Sequence, residues 1–151
     1  MRRTVNLSHA RTKFQRDVMR RIRRDKVCPF CMEHFLKYHT KPILASGKYW
    51  VLTTNFQPYK GSRLHLLAIY KKHTTTFEKL SPAAHQELFA LFSKELRKKK
   101  IKGGAILMRF GNTEYTGGTV EHLHAQLISG QKRSPRREHI TTQLGYGAMR
   151  S

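Results

Sequence analysis

The chain reads as an α+β domain with a largely antiparallel sheet. Three observations carry that reading. The candidate elements run helix, strands, helix, strands, an order that points to α+β. The stretch Thr119–Ile128 alternates with period two, as a half-buried strand does. Ser81-Pro82 opens an amphipathic segment as N-cap and first-turn proline, the signature of a helix start.

The elements follow in order. Residues 1–8 read as a flexible basic arm. From Ala10 to Arg24, Phe14, Val18 and Ile22 recur every four residues beside Met19, so one helical stripe is apolar and the rest is Arg and Lys. Val27-Cys28-Pro29-Phe30-Cys31 is a tight knuckle, its turn restricted by the proline. Lys48–Asn55 is β-branched and aromatic and reads as a strand. Asn55–Gly61, with Pro58, is a loop. Arg63–Tyr70 reads as a strand buried on both faces, where His65 must be paired or functional. The helix from Ser81 shows Leu88, Leu91, Phe92 and Leu96 as its stripe and ends at Gly103-Gly104; Glu87 and Glu95 are its only acids. Ala105–Phe110 is a further strand, Gly111–Gly118 a turn-rich loop, Lys132–Arg137 a basic loop, and His139–Leu144 a short final strand.

The chain's 151 residues suit one domain with a sizeable core. Mean hydropathy is -0.61, and no apolar run reaches the length of a transmembrane helix. No signal-peptide hydrophobic region stands near the start. Cys28 and Cys31 are the only cysteines, which points away from a disulfide framework and towards a metal or redox pair in a reducing, cytoplasmic setting. A redox pair commonly follows a strand, and nothing before Cys28 resembles one. Charge is the unusual feature. The net is +21, with +8 in residues 1–26, +5 in 94–102 and +4 in 131–151. That balance favours polyanionic partners, nucleic acid above all; the competing reading is a solvated basic surface.

The alternating stretch carries the chemistry. Val120, His122, His124, Gln126 and Ile128 share one face of a strand, about 7 Å apart at each step. Half-buried imidazoles lose hydration and need partners. One imidazole can attack an anionic phosphorus centre while its neighbours bind metal or donate hydrogen bonds. Two thiolates at the Cys28–Cys31 spacing chelate zinc well, but two further ligands are needed. His34 and His39 offer a local completion; His73 and His122 offer a distant one.

These residues resemble the histidine triad superfamily, whose mark here stands as His122-Leu123-His124-Ala125-Gln126-Leu127-Ile128. His65-Leu66-Leu67-Ala68-Ile69-Tyr70-Lys71-Lys72-His73 is similar to a second family segment, with Tyr70 where proline is usual. Asn55 with Pro58 and Gly61 resembles the ribose-side loop. Asn112 and Gly117-Gly118-Thr119 resemble the phosphate-side loop, one residue shorter and without the usual Gln. Gln126 in the third position is similar to the transferase branch, that of galactose-1-phosphate uridylyltransferase and the diadenosine tetraphosphate phosphorylases.

The resemblance implies a histidine triad fold with a basic helix before it. The chain then divides into a basic arm and helix (1–26), a catalytic domain (27–130) and a basic extension (131–151). It also implies a structural zinc on Cys28, Cys31, His73 and His122, and a homodimer. His124 becomes the nucleophile that forms a nucleotidyl-histidine, and Gln126 its catalytic partner. Asn55, His65, Asn112, Gly118 and Thr119 become nucleotide-binding residues for a nucleotide or dinucleotide substrate. An amide at position 126 cannot activate water, which favours transfer or phosphorolysis over hydrolysis. The rival reading is a basic RNA- or ribonucleoprotein-binding module on the same scaffold, with weak or no catalysis.

Overall fold

The computed structural model describes residues 4–149. Its sheet is five-stranded: β1 (Ile43–Ser46), β2 (Trp50–Thr54), β3 (Leu64–Tyr70), β4 (Ala105–Arg109) and β5 (His124–Ser129). The spatial order is β1-β2-β3-β5-β4, and every neighbouring pair is antiparallel. Three helices flank it: α1 (Lys13–Asp25), α2 (Met32–Tyr38) and α3 (Pro82–Lys98). The expected α+β class holds.

The two sheet faces bury different sets. On one, Trp50, Leu52, Leu66, Ala68, Ala125 and Leu127 pack against Ala84, Leu88 and Phe92 of α3. On the other, Val51, Leu67 and Ile69 meet Phe35 of α2. β3 is buried on both faces, as its apolar run implied. The register sets Arg109 opposite His124 and Leu107 opposite Gln126; on the other side His124 faces Ile69 and Gln126 faces Leu67. His124 and Gln126 therefore share the α2 face of the sheet with His65.

Several expectations change. α1 buries Gln15, Met19 and Ile22, whereas Phe14 is 59% exposed. The stripe is rotated because α1 packs on Val5, Tyr38 and Val120, which its own periodicity does not reveal. Residues 4–8 are docked rather than free: Val5 bridges Val120, and Asn6 N–H donates to Thr119 O. Residues 1–3 lie outside the described residues. The histidine strand begins at His124, so His122 precedes it. β1 and α2 carry no signal in the sequence pattern: β1 is short and largely exposed, and the N-cap of α2, Cys31, makes no side-chain cap hydrogen bond. His139–Leu144 forms no strand; it is held through contacts with the site instead.

One carboxylate fastens α3 to the sheet. Glu87 accepts from the backbone N–H groups of Lys48, Tyr49 and Trp50 at 2.8, 2.8 and 2.9 Å. Trp50 Nε1–H also donates to Ala84 O at 2.8 Å. A Cβ at Gly47 would meet the Glu87 carboxylate at 2.5 Å, so a larger residue there would displace this clamp. Bonds to a charged acceptor are the strong ones, and Glu87→Ala leaves three donors without it. We expect a loss of about 2–3 kcal/mol in urea unfolding, with Glu87→Gln losing less; a loss below about 0.5 kcal/mol, the scale of an ordinary surface substitution, would show the clamp to be unimportant.

His39 gives the fold an acid limit. Its Nε2 meets Thr53 Oγ1 at 2.8 Å, its Nδ1 is buried without a partner, and Phe35 stacks on its ring. Burial, helped by the charge of Lys41, lowers its pKa to about 4. The unfolded chain binds a proton near pH ~6.5 that the folded chain refuses. Stability should therefore fall as pH drops from that value towards 4. His39→Leu should lose less stability between pH 7 and pH 5 than the wild type, read from urea midpoints. Identical losses would remove His39 as the cause.

Candidate active site

His124 opens β5 and is buried. Its Nδ1 lies 2.6 Å from His122 O, so Nδ1–H is the donor and Nε2 keeps its lone pair. Burial, with the charge of Arg109 adding to it, lowers the His124 pKa to about 4. The ring is thus neutral at pH 7. The edge of Phe30 packs on it, centroids 5.1 Å apart. A neutral imidazole with one nitrogen tied back and the other facing a cavity is equipped to attack.

Gln126, next on the same face, is oriented by His65. Tyr59 N–H donates to His65 Nδ1 at 3.0 Å, which places the ring proton on Nε2. Nε2–H then donates to Gln126 Oε1 at 2.6 Å. The carbonyl of Gln126 is consumed, and its NH₂ is left to donate. Asn55 Oδ1 accepts from Gln57 N–H at 2.9 Å, so its Nδ2 lies beside His65 Nε2 at 3.1 Å, donor facing donor. Those amide hydrogens are also left for a ligand.

The loop before β5 closes the cavity. Gly118 N–H is spent on Thr116 Oγ1 at 3.1 Å, and Gly118 O accepts from His9 Nδ1 at 2.7 Å. Gly118 therefore shapes the wall rather than offering its amide. Thr119 lines the cavity and, among the described residues, neither its N–H nor its hydroxyl has a partner. Asn112 does not reach this cavity. It is exposed, caps the short turn Thr113–Tyr115 through Glu114 N–H, and lines a separate hollow.

Beside the cavity Cys28, Cys31, His73 and His122 bring one ligand atom each within 4.8 Å of the others. His122 Nε2–H donates to Tyr70 O at 2.6 Å, leaving Nδ1 for the cluster. That Nδ1 is 3.3 Å from Cys28 Sγ, 3.8 Å from Cys31 Sγ and 3.2 Å from His73 Nδ1; Cys31 Sγ and His73 Nδ1 are 3.4 Å apart. Tetrahedral zinc with ordinary bond lengths separates S and N by about 3.5 Å and N and N by about 3.3 Å. The four residues could hold such an ion. Burial first, then the neighbouring Cys28, raises the Cys31 pKa to about 12, so the pair is no ready-made redox thiolate. The local completion fails: His34 pairs with Glu33, and His39 with Thr53.

The structure adds residues that the sequence reading missed. His9, Arg11, Tyr59 and Arg109 line the cavity, as do Thr142 and Gln143 of the C-terminal segment. His9 Nε2 accepts from the Tyr146 hydroxyl, and Gly117 N–H donates to Leu144 O. Only Arg109 carried a signal, its parity on β4, and that signal needs the β4–β5 register to be read.

No family model and no curated protein sequence matches the chain. Solved structures do. A histidine triad nucleotide-binding protein from Candida albicans is 18% identical with a TM-score of 0.57, over 83% of this chain and 85% of that one. A zinc-bound histidine triad family protein from Mycobacterium smegmatis is 17% identical with a TM-score of 0.56, over 79% and 83%. A HIT family hydrolase from Clostridium thermocellum is 23% identical with a TM-score of 0.53, over 72% and 95%. Likeness at these identities is likeness of fold, and the chain has the fold of the histidine triad proteins.

Proposed function

We propose that this chain is a nucleotide-binding enzyme that transfers a nucleoside monophosphate group through a covalent nucleotidyl-histidine on His124. One observation carries the reading: a neutral His124, tied through Nδ1–H to His122 O, turns Nε2 into a cavity lined by unspent donors. The HIT family hydrolase and the histidine triad nucleotide-binding protein of like fold fit it.

The steps follow from the geometry. The Nε2 lone pair attacks the α-phosphorus; a P–N bond forms, the P–O bond to the leaving group breaks, and its electron pair leaves on oxygen. The His124 Nδ1–H stays on His122 O, so the adduct is an imidazolium that departs readily in the second step. Thr119 N–H, the Thr119 hydroxyl and the Gln126 NH₂ are the donors for the non-bridging oxygens. Asn55 is the donor for the ribose. An oxygen of phosphate or of a phosphorylated acceptor then attacks phosphorus, and the P–N bond breaks.

Gln126 sets the fate of the adduct. It can hold a phosphoryl oxygen but has no proton to trade near neutrality. His124→Asn should abolish the adduct, read by mass after exposure to nucleotides. Gln126→His should hasten hydrolysis of an isolated adduct by about 10²-fold or more, the scale of general acid–base assistance. Wild-type adduct that hydrolyses as fast as the variant's, with phosphate making no difference, would make this a hydrolase.

Zinc is the metal we assign to Cys28, Cys31, His73 and His122. Bound there, it supplies a cross-link between the knuckle before α2, the residues after β3 and the entry to β5. The wild type should purify with one zinc per chain. His73→Ala should lower zinc content and the unfolding temperature together, since structural zinc contributes directly to folding. Full zinc in a His73→Ala, His122→Ala double variant would remove the assignment.

Two further readings have one observation each. β4 is a sheet edge with Ile106 exposed on it, which supports the homodimer. The outer face of α1 exposes Lys13, Arg16, Arg20, Arg23 and Arg24, which supports a polyanionic partner.

A further inference from the structure

The cavity holds two arginines and no acid. Arg109 rises from β4 opposite His124. Arg11 comes from the segment before α1. Both converge on Tyr59: the Arg11 guanidinium lies 4.4 Å from the ring centroid, and Arg109 Nη1 and Nη2 each lie 3.5 Å from the hydroxyl. No Asp or Glu lines the cavity, and neither arginine is in an ion pair among the described residues.

Every acceptor these guanidiniums have is neutral. Arg11 donates to Gln57 O at 2.7 Å. Arg109 donates through Nε to Gln143 O at 3.1 Å and through Nη2 to the Thr142 hydroxyl at 2.9 Å. Arg11 is partly exposed to solvent, and its pKa is lowered chiefly by partial desolvation, with the charge of Arg109 adding to it. Two cations brought together over one tyrosine without an anion describe an incomplete site. Planar guanidinium forks match phosphate oxygens in pairs. The α-phosphate already has its donors in Thr119 and Gln126. The arginines' charge is left over for something else.

We propose that Arg11 and Arg109 form a second anion subsite, which takes a phosphate beyond the one that His124 attacks. The proposal rests on the reading of His124 as nucleophile and deepens it. It makes the two arginines the residues that select a leaving group or acceptor carrying phosphate of its own. The Gln143 carbonyl stands where one oxygen of that phosphate would be bound, so the C-terminal segment must yield as the ligand enters.

The test is calorimetric binding to the zinc-loaded full chain. The probes are the 5′-mono- and 5′-diphosphates of adenosine, guanosine, cytidine and uridine, with inorganic pyrophosphate as a base-free control. His124→Asn is the background, so that no turnover occurs. The diphosphate of the preferred base should bind at least about tenfold tighter than its monophosphate, the effect of one good charge-assisted contact. Arg11→Gln with Arg109→Gln should bring that ratio close to one and leave the monophosphate within a few-fold. Arg11→Lys with Arg109→Lys, which keeps the charge, should restore part of the ratio and thereby separate loss of the subsite from loss of the fold. A ratio unchanged in the double Gln variant overturns the subsite and leaves the nucleotide reading standing. Failure of every mono- and diphosphate to bind overturns the nucleotide reading itself, and pyrophosphate binding that persists in that case and vanishes in the double variant still assigns the anion site to the arginines.

Discussion

Two tethers on His122 hold the rest of the site. Its Nε2–H is fixed on Tyr70 O at the end of β3, which points Nδ1 at Cys28, Cys31 and His73. Its carbonyl accepts the Nδ1–H of His124. The first tether orients a metal cluster; the second fixes the tautomer of the candidate nucleophile. Both pass through one residue that is 2% exposed. The His122 carbonyl accepts from the His124 ring, and strand geometry begins only at His124. A position that serves both ring and backbone in this way tolerates little change. Replacing its side chain would disturb the candidate metal-ligand cluster directly and the proposed nucleophile indirectly, through the backbone.

The same logic of directed protons runs through the second half of the site. The Tyr59 amide decides the tautomer of His65, His65 decides which end of Gln126 is spent, and Gln126 is left with donors towards the cavity. Each link is a neutral hydrogen bond of modest net worth, about 1 kcal/mol. Their value lies in direction. A glutamine with a free carbonyl would repel a phosphoryl oxygen, and one with a free NH₂ attracts it. This chain needs β3 and β5 side by side, which the register supplies by pairing Leu67 with Gln126 and His65 with Ile128.

How much of this the sequence exposed depends on the range of each signal. Period-two alternation located His124 and Gln126, because a strand's faces are a local property. The apolar run of β3 located His65, and Ser81-Pro82 located the start of α3. The residues of the candidate metal cluster lie 91 and 94 residues apart between Cys31 or Cys28 and His122, and the resemblance rather than spacing chose among the histidines. What failed was what only packing decides. The α1 stripe came out rotated because Gln15 outcompetes Phe14 for the interior, its Oε1 accepting from Arg11 N–H and its backbone held by the Thr12 cap. α2 has too few residues for a periodic signal, and β1 is largely exposed. Asn112 was placed in the phosphate-side loop by the resemblance, but the shortened loop uses its side chain to cap a turn. His9, Arg11 and the C-terminal segment reach the cavity from distant parts of the chain, with no local pattern to announce them.

Charge in this molecule operates on two scales that oppose each other at the site. Over the whole chain the net is +21, and among the described residues most of that charge sits on exposed side chains that water and salt screen. Inside the cavity, burial has discharged the imidazoles: His65 and His124 both have pKa values lowered to about 4. A protonated ring could attract phosphate but could not attack it, so discharge is the condition for nucleophilic chemistry at His124. It also deprives the cavity of the positive charge that a phosphorylated ligand requires. Arginine resolves the conflict, because its guanidinium stays protonated under burial that strips an imidazole. Burial is the main cause of these lowered pKa values, and Arg11 and Arg109 add to it at His65 and Arg109 at His124, so the two cations proposed to meet a phosphate also favour the neutral rings. In the proposed reaction, the division of labour between a neutral nitrogen that reacts and cations that only attract follows from their intrinsic pKa values, and the sheet register brings Arg109 opposite His124.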